Sequence, residues 1–187
     1  MDIKKVVVIG SGTMGSGIAA QVANAGISVT LLDLSSNEGS RNQITEKAKE
    51  RIIKSRPPLL LEKTKAEHIE IGNIEDDFSV VSEADWVVEA VVERIDIKHS
   101  IYSKIQEVRK PSSIISSNTS TIPLKVLSAN MSDDMKKNFC ITHFFNPVRY
   151  MALLEIVTEP INDIEKINFL KSFCDEQLGK GVIICND

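Results

Sequence analysis

Short runs of β-branched and other apolar residues alternate along the chain with longer stretches whose apolar positions recur every three or four residues. The short runs predict strands and the longer stretches predict amphipathic helices. Strands are predicted at residues 3–9, 28–33, 69–74, 84–91, 113–117, 139–144, 153–157 and 182–185. Helices are predicted between Gly15 and Gly26 and at residues 37–55, 95–108 and 163–178, with one or two turns at 123–129. Residues 59–68, which follow a helix-ending Pro57-Pro58 pair, fit neither pattern.

This alternation of strands and helices predicts βαβ units, and hence an α/β domain over residues 1–187. We expect a doubly wound, mostly parallel sheet with helices on both faces. Right-handed crossovers leave few possible topologies, and ligands then bind at the carboxyl ends of the strands.

Composition narrows the class of protein. Of the 187 residues 42% are apolar and 26% are charged, which is typical of a globular domain. The net charge is −4 and no long basic block is present, so we expect no nucleic-acid partner. Apolar runs are far shorter than the ~20 residues of a membrane span, and no signal peptide is recognisable. The three widely spaced cysteines predict reduced core residues in a cytoplasmic protein, and no metal site.

A glycine-rich segment follows the first predicted strand and opens the first helix. Gly10, Gly12 and Gly15 have the spacing that permits a tight turn, close approach of a pyrophosphate and close packing of the helix on the strand. Thr13 and Met14 lie within the same segment, and Asp33 ends the second strand, 18 residues beyond Gly15. An acid there accepts hydrogen bonds from the ribose and disfavours a 2′-phosphate. The motif predicts a Rossmann-type fold that binds NAD; the alternative is a structural turn and a surface aspartate.

Three later motifs resemble the N-terminal domain of 3-hydroxyacyl-CoA dehydrogenases. They are residues 86–93 with 97–98, residues 117–120, and residues 143–148 with Met151, Leu154 and Glu155. They occur in the order found in that family, and the similarity extends over about residues 3–187.

The resemblance implies a role for individual residues. His143 is the expected general base, Glu155 the carboxylate that orients it, and Ser120 a hydroxyl that contacts the substrate oxygen near the cofactor. The implied cofactor contacts outside the glycine loop are Ala90, Glu93, Lys98, Asn118, Ser120 and Asn146.

The chemistry of the residues supports part of this assignment. Oxidation of an alcohol by hydride transfer needs a base that titrates near neutral pH, and histidine is such a side chain. His143 and Glu155 lie on two candidate strands joined by a bend at Pro147, so neighbouring strands would bring them together. The alternative for His143 is a hydrogen-bonded core histidine. Glu89 is assigned a structural role, and for Lys98 a solvated helix charge is the alternative.

The sequence also departs from the family. The stretch between the second and third strands, which helps to hold CoA in the family, is short here and contains Pro57-Pro58. Basic residues on the second helix are either CoA phosphate contacts or a solvated face; they are Lys47, Lys49, Lys54 and Arg56. The helical C-terminal domain of the family, which forms much of its dimer interface, is absent. The alternatives are an excised fragment, a domain of a longer fusion and a natural single-domain protein. Of these we favour an excised piece of a multifunctional fatty-acid oxidation enzyme, and we expect the complete protein to be a homodimer.

Three functions are compatible with these motifs. The first is oxidation of an L-3-hydroxyacyl-CoA thioester to the 3-oxoacyl thioester with NAD. The second is a sugar-acid (gulonate-type) dehydrogenase of the same fold family, which retains His143 and Glu155 without binding CoA. The third is a non-catalytic NAD-binding module.

Overall fold

The computed structural model describes residues 2–187, in which strands and helices alternate as expected. The strands are β1 (Lys5–Ile9), β2 (Ser28–Asp33), β3 (Ile69–Asn73), β4 (Trp86–Glu89), β5 (Ile114–Ser117), β6 (Phe139–Phe144), β7 (Leu153–Thr158) and β8 (Gly181–Asn186). The α-helices are α1 (Thr13–Asn24), α2 (Gln43–Lys54), α3 (Ile95–Val108), α4 (Leu124–Leu127), α5 (Asp133–Lys137) and α6 (Ile164–Glu176). Short 3₁₀ helices cover Lys63–His68 and Phe78–Glu83.

All eight of these strands form a single sheet in the order β3-β2-β1-β4-β5-β6-β7-β8. The strands from β3 to β6 run parallel, β7 is antiparallel to β6, and β8 is parallel to β7. The prediction of a doubly wound, mostly parallel sheet is confirmed. The order reverses direction between β1 and β4, which is where such folds bind ligands.

The sheet is buried on both faces because successive side chains of a strand point in opposite directions. Val6 and Val8 of β1 pack in a core with α1, α2 and α6, whereas Val7 and Ile9 pack in a second core with α3, α4 and α5. Strands covered on both faces need apolar residues at every position, which explains the continuous apolar run of β1.

The second helix is shorter than predicted. It begins at Gln43 rather than residue 37, because the preceding segment forms local turns. Ser36 and Ser40 bond nearby backbone groups, and Gly39 has a φ of +72°. Serine side chains that bond their own backbone in this way compete with helix formation. The helix also ends at Lys54, so Arg56 is not part of the predicted basic helix face.

Other differences are small. The fourth strand is confined to Trp86–Glu89, and the five-residue helix α5 was not predicted. Cys140 and Cys174 are buried as expected, and burial raises the pKa of the Cys140 thiol to about 12. Cys185 is partly exposed, so its assignment to the core is wrong. Among residues 2–187, no helix has the length and apolar character needed to cross a membrane.

Candidate active site

The glycine loop lies between the end of β1 and the start of α1, against the first residues after β4. Gly10 has a φ of +103°, and a Cβ there would lie 2.5 Å from the carbonyl oxygen of Ala90. A Cβ at Gly15 would lie 1.8 Å from the carbonyl oxygen of Gly10. Both positions therefore require glycine. A Cβ at Gly12 would meet nothing within 4 Å, so the outer side of the loop is open where the amino end of α1 can receive a phosphate.

The loop residues between these glycines begin α1. Thr13 is exposed at the first helical position, and the half-buried Met14 packs against the core. Ser16 N donates to the Gly12 carbonyl at 2.9 Å. The loop is therefore fixed on its inner side by the helix and open on its outer side.

Asp33 lies beside this loop at the carboxyl end of β2. Its Oδ2 accepts hydrogen bonds from Ser11 N (2.5 Å) and Ser11 Oγ (2.7 Å), and its Oδ1 accepts one from Leu34 N (2.7 Å). These three donors leave one of about four acceptor positions of the carboxylate. Sequence reasoning did not identify Arg51, whose guanidinium donates to the Ser11 carbonyl at 3.2 Å and lies next to the loop.

A cavity of about 570 Å³ opens next to Asp33, between the carboxyl ends of β1, β2 and β4 and the helix α3. Its apolar lining includes Leu34, Ile74, Val91 and Ile97, and its polar lining includes Asp33. An apolar slot with a carboxylate at one end suits an adenosine group, whose base is apolar on both faces and whose ribose carries hydroxyls.

The antiparallel pairing of β6 with β7 brings His143 and Glu155 together. The two residues are directly opposite in the register, and His143 Nδ1 lies 2.9 Å from Glu155 Oε2. Because a carboxylate only accepts hydrogen bonds, Nδ1 carries the proton and Nε2 is left to accept one. Both side chains are partly exposed, and the imidazole packs on Phe145 with ring centroids 4.4 Å apart. Glu155 therefore holds the His143 imidazole through Nδ1, and Nε2 is left to accept a hydrogen bond at the carboxyl end of β6.

The segment after β5 lies beside this pair. Asn118 Oδ1 accepts a hydrogen bond from Phe144 N (3.0 Å), which fixes the segment next to His143. Ser120 is exposed in the same segment, and Asn146 is exposed in the turn after β6. Both lie at the sheet edge that carries the glycine loop, because β1, β5 and β6 run parallel.

Glu93 and Lys98 occupy different environments. The Glu93 side chain is about half exposed, and its Oε2 accepts a hydrogen bond from Thr119 Oγ1 (2.9 Å). Lys98 is buried, with its Nζ 2.7 Å from Glu89 Oε1 and 3.7 Å from Glu93 Oε2. The alternative of a solvated charge at Lys98 is therefore wrong, and Glu89 is an end-of-strand carboxylate with a helix partner.

Several basic residues of α2 have protein partners. Lys49 Nζ donates to the Ile69 carbonyl at 2.6 Å, and Lys54 pairs with Glu50. Arg149 donates hydrogen bonds to the carbonyl oxygen of Pro58 and to that of Leu60, which lies in the segment 59–68 that the sequence pattern left unassigned. That segment is thus attached to the turn after β6.

Comparison with known proteins identifies the family to which the chain belongs. Residues 5–187 match the model of the family described as 3-hydroxyacyl-CoA dehydrogenase, NAD binding domain. The chain belongs to this family. NAD is thus the cofactor of this domain, as the sequence predicted, and the open glycine loop, the Asp33 carboxylate beside it and the apolar cavity fit it.

Relatives of this NAD binding domain are named as fatty-acid oxidation enzymes and dehydrogenases. A Rickettsia felis protein named for a fatty acid oxidation complex trifunctional enzyme is 46% identical over 100% of the chain, which covers 26% of that protein. A Deinococcus radiodurans protein named as a 3-hydroxyacyl-CoA dehydrogenase is 43% identical over 100% of the chain, which covers 54% of that protein. The chain thus spans between about a quarter and about half of these relatives.

Solved structures agree with this family. The FadB2 structure of M. tuberculosis superimposes with a TM-score of 0.88 at 30% identity, covering 100% of this chain and 65% of that one. The 3-hydroxybutyryl-CoA dehydrogenase of Escherichia coli superimposes with a TM-score of 0.85 at 28% identity, covering 100% of this chain and 39% of that one. The NAD binding domain therefore has the fold of the matching parts of these two proteins.

Proposed function

We propose that the chain provides the cofactor site and the general base of an enzyme that oxidises L-3-hydroxyacyl-CoA to 3-oxoacyl-CoA. The observation that supports this most directly is the His143–Glu155 hydrogen bond of 2.9 Å, at the sheet edge that carries the NAD loop. This arrangement gives a base beside a hydride acceptor, which is what oxidation of a secondary alcohol requires.

The proposed roles follow from the positions of the side chains. His143 Nε2 takes the proton of the 3-hydroxyl, because Nδ1 already donates to Glu155. Glu155 holds the ring in this tautomer and stabilises the imidazolium that forms. NAD, when bound at the glycine loop, would supply the acceptor for the hydride that leaves C3. Ser120 donates a hydrogen bond to the substrate oxygen.

Further residues are proposed to hold the cofactor. Ala90, Asn118 and Asn146 lie at the carboxyl ends of the strands, where the nicotinamide half of NAD would extend from the glycine loop. Glu93 accepts hydrogen bonds from ribose hydroxyls, and Lys98 acts through Glu93 because its ammonium is buried. Arg51 adds a positive charge next to the phosphates.

Binding and turnover test this proposal separately. We expect calorimetric titration of the chain with NAD to show binding below millimolar concentration, and stronger binding than with NADP. We expect the complete protein to oxidise NADH with acetoacetyl-CoA, and His143→Ala to abolish this reaction while NAD binding remains. His68→Ala is the matched control, because His68 lies at the end of a 3₁₀ helix before β3.

Each result has a clear meaning. Absence of NAD binding would contradict the proposed cofactor site, and activity retained by His143→Ala would contradict the mechanism. Oxidation of a sugar acid without any reaction of the acyl-CoA would favour the gulonate-type alternative. NAD binding by a complete protein without turnover of either substrate would favour the non-catalytic module.

The proposal extends to the complete protein. We infer a cytoplasmic enzyme of fatty-acid oxidation in which residues 1–187 are one NAD-binding domain and a helical segment outside them completes the acyl site. We also infer that this segment forms a homodimer. Sedimentation of the complete protein as a monomer would contradict the dimer.

A further inference from the structure

A buried carboxylate lies at the carboxyl end of β4, between the two loops that carry the proposed site residues. Glu89 has no exposed surface. Its Oε1 accepts hydrogen bonds from Lys98 Nζ (2.7 Å) and Val91 N (2.8 Å). Its Oε2 accepts hydrogen bonds from Tyr102 OH (2.6 Å) and Ser117 Oγ (2.7 Å). Four donors satisfy the roughly four acceptor positions of a carboxylate, which offsets the cost of burying its charge.

One arm of this network reaches the loop that carries Ser120. Ser117 Oγ, which donates to Glu89, also accepts a hydrogen bond from Thr119 N (3.3 Å). The main-chain oxygen of Glu89 accepts one from Asn118 N (2.8 Å). The position of the loop relative to His143 therefore depends on the position of Glu89 and on its hydrogen bonds.

The other arm reaches the cofactor carboxylate. The Lys98 ammonium lies 2.7 Å from Glu89 and 3.7 Å from Glu93, and Thr119 Oγ1 donates to Glu93 at 2.9 Å. Because Glu89 holds the ammonium in the interior, the half-exposed Glu93 is not drawn into a close ion pair. Its carboxylate remains at the rim, where ribose hydroxyls can bind.

The remaining donor fixes the geometry of the network. Tyr102 lies one helical turn after Lys98 on the same face of α3, so both donors reach the same carboxylate. Burial, followed by the proximity of Glu89, raises the pKa of Tyr102. The phenol therefore keeps its proton and remains a donor.

We propose that Glu89 is a positioning residue for the dehydrogenase reaction. It sets the Ser120 loop through Ser117 and the Glu93 carboxylate through Lys98. This inference rests on the proposed function, because it assigns the consequence of the network to catalysis and NAD binding rather than to folding alone. A displacement of about 1 Å in a reacting group is enough to cost about a hundredfold in rate.

Two neighbouring serines provide a matched test. Ser117 and Ser116 are both fully buried on β5, but Ser116 Oγ faces the opposite side of the sheet, where it bonds Trp86 and Thr142. We expect Ser117→Ala and Ser116→Ala to lower the melting temperature similarly. Only Ser117→Ala should lower kcat, by about tenfold, with the KM for NAD changed less than about twofold. Equal kcat values for the two variants would overturn the role of this arm.

Removal of the buried charges tests the arm that reaches Glu93 through Lys98. In Glu89→Gln the Lys98 ammonium is left to pair with Glu93, so we expect the KM for NAD to rise by about tenfold. Glu89→Gln/Lys98→Met removes both buried charges, so the competing ion pair with Glu93 cannot form. The KM should therefore be lower than that of Glu89→Gln, without reaching the wild-type value, because Lys98 no longer acts on Glu93. A KM in the double variant equal to that of Glu89→Gln would show that pairing of Lys98 with Glu93 does not cause the rise, and it would overturn this arm. If Glu89→Gln does not fold, the serine pair decides the proposal alone.

The wild-type protein separates this inference from the proposed function. Absence of NAD binding or turnover in the wild type would overturn both. An active wild type whose Ser117→Ala variant behaves like Ser116→Ala would leave the proposed function intact and would overturn the positioning of the Ser120 loop by Glu89.

Discussion

Gly17 lies in α1, where it packs against the turn after β6. A Cβ at this position would lie 2.8 Å from Val148 Cγ2 and 3.1 Å from Val148 Cβ. The turn cannot easily move away, because Val148 is buried and its carbonyl oxygen accepts a hydrogen bond from the buried Lys180. Gly17→Ala should therefore produce overpacking rather than the usual stabilisation of a helix.

The magnitude follows from two opposing effects. Alanine stabilises a helix interior by about 0.8–1.0 kcal/mol relative to glycine, and overpacking a well-packed core costs about 1–3 kcal/mol. We expect Gly17→Ala to lower the stability by about 1 kcal/mol in the wild-type background. In a Val148→Ala background the 2.8 Å contact is absent and only the 3.1 Å approach remains. There the same substitution should be neutral or stabilising.

Thermal unfolding of the four variants measures this coupling. A difference of about 1–2 kcal/mol between the two backgrounds is expected, which corresponds to about 2–8 °C in the melting temperature of a domain of this size. Calorimetry with NAD reports whether α1 has moved. If Gly17→Ala raises the melting temperature equally in both backgrounds, Val148 does not require glycine at this position.

Three further results are expected. Glu155→Gln should lower kcat by about 10- to 100-fold, because it removes a charge-assisted hydrogen bond of about 1.5–3 kcal/mol. Partial exposure of the Glu155 and His143 side chains (31% and 21%) weakens this bond. An unchanged kcat would contradict the orienting role of Glu155. Burial raises the pKa of Asp85, but hydrogen bonds from Lys110 and from two backbone amides at the start of β1 outweigh this and hold it below its ordinary value. Asp85→Asn should therefore cost about 1–2 kcal/mol at pH 7, and in pH-dependent melting the difference should disappear as the pH falls below about 3.9; a constant difference would exclude the carboxylate charge as its cause. Lys180→Met should lower the free energy of unfolding by about 1–3 kcal/mol, as measured by urea denaturation, because two carbonyl oxygens of the turn after β6 lose their donor. An unchanged free energy of unfolding would show that water replaces the ammonium.

Local patterns in the sequence predicted most of the fold. The second strand and the third helix were predicted with the bounds that the structure has, because a continuous apolar run and a regular helical period each identify one element without tertiary context. The glycine spacing likewise placed the NAD loop, since Gly10 is required by its contact with the segment after the adjacent strand, Gly15 by its contact with Gly10, and Gly12 leaves the outer side of the loop open.

Other features depend on contacts between distant residues. Lys98 has the sequence context of a surface helix charge, and only the docking of α3 against β4 places its ammonium beside Glu89. Gly17 continues the glycine spacing of the loop, but its partner Val148 lies 131 positions later in the chain. A single sequence does not show which helix face meets the sheet, so these contacts were not predicted.

Because His143 and Glu155 are directly opposite each other on β6 and β7, the distance between them does not depend on the loop that joins the two strands. Their separation is set by the hydrogen-bond ladder between β6 and β7, which fixes four consecutive residue pairs. Insertions or deletions confined to residues 145–152 can therefore change the surface beside the pair without moving the imidazole and the carboxylate apart. A one-residue slip of the ladder would instead turn Glu155 to the opposite face of the sheet. The length of this loop can thus vary while the proposed catalytic pair keeps its geometry.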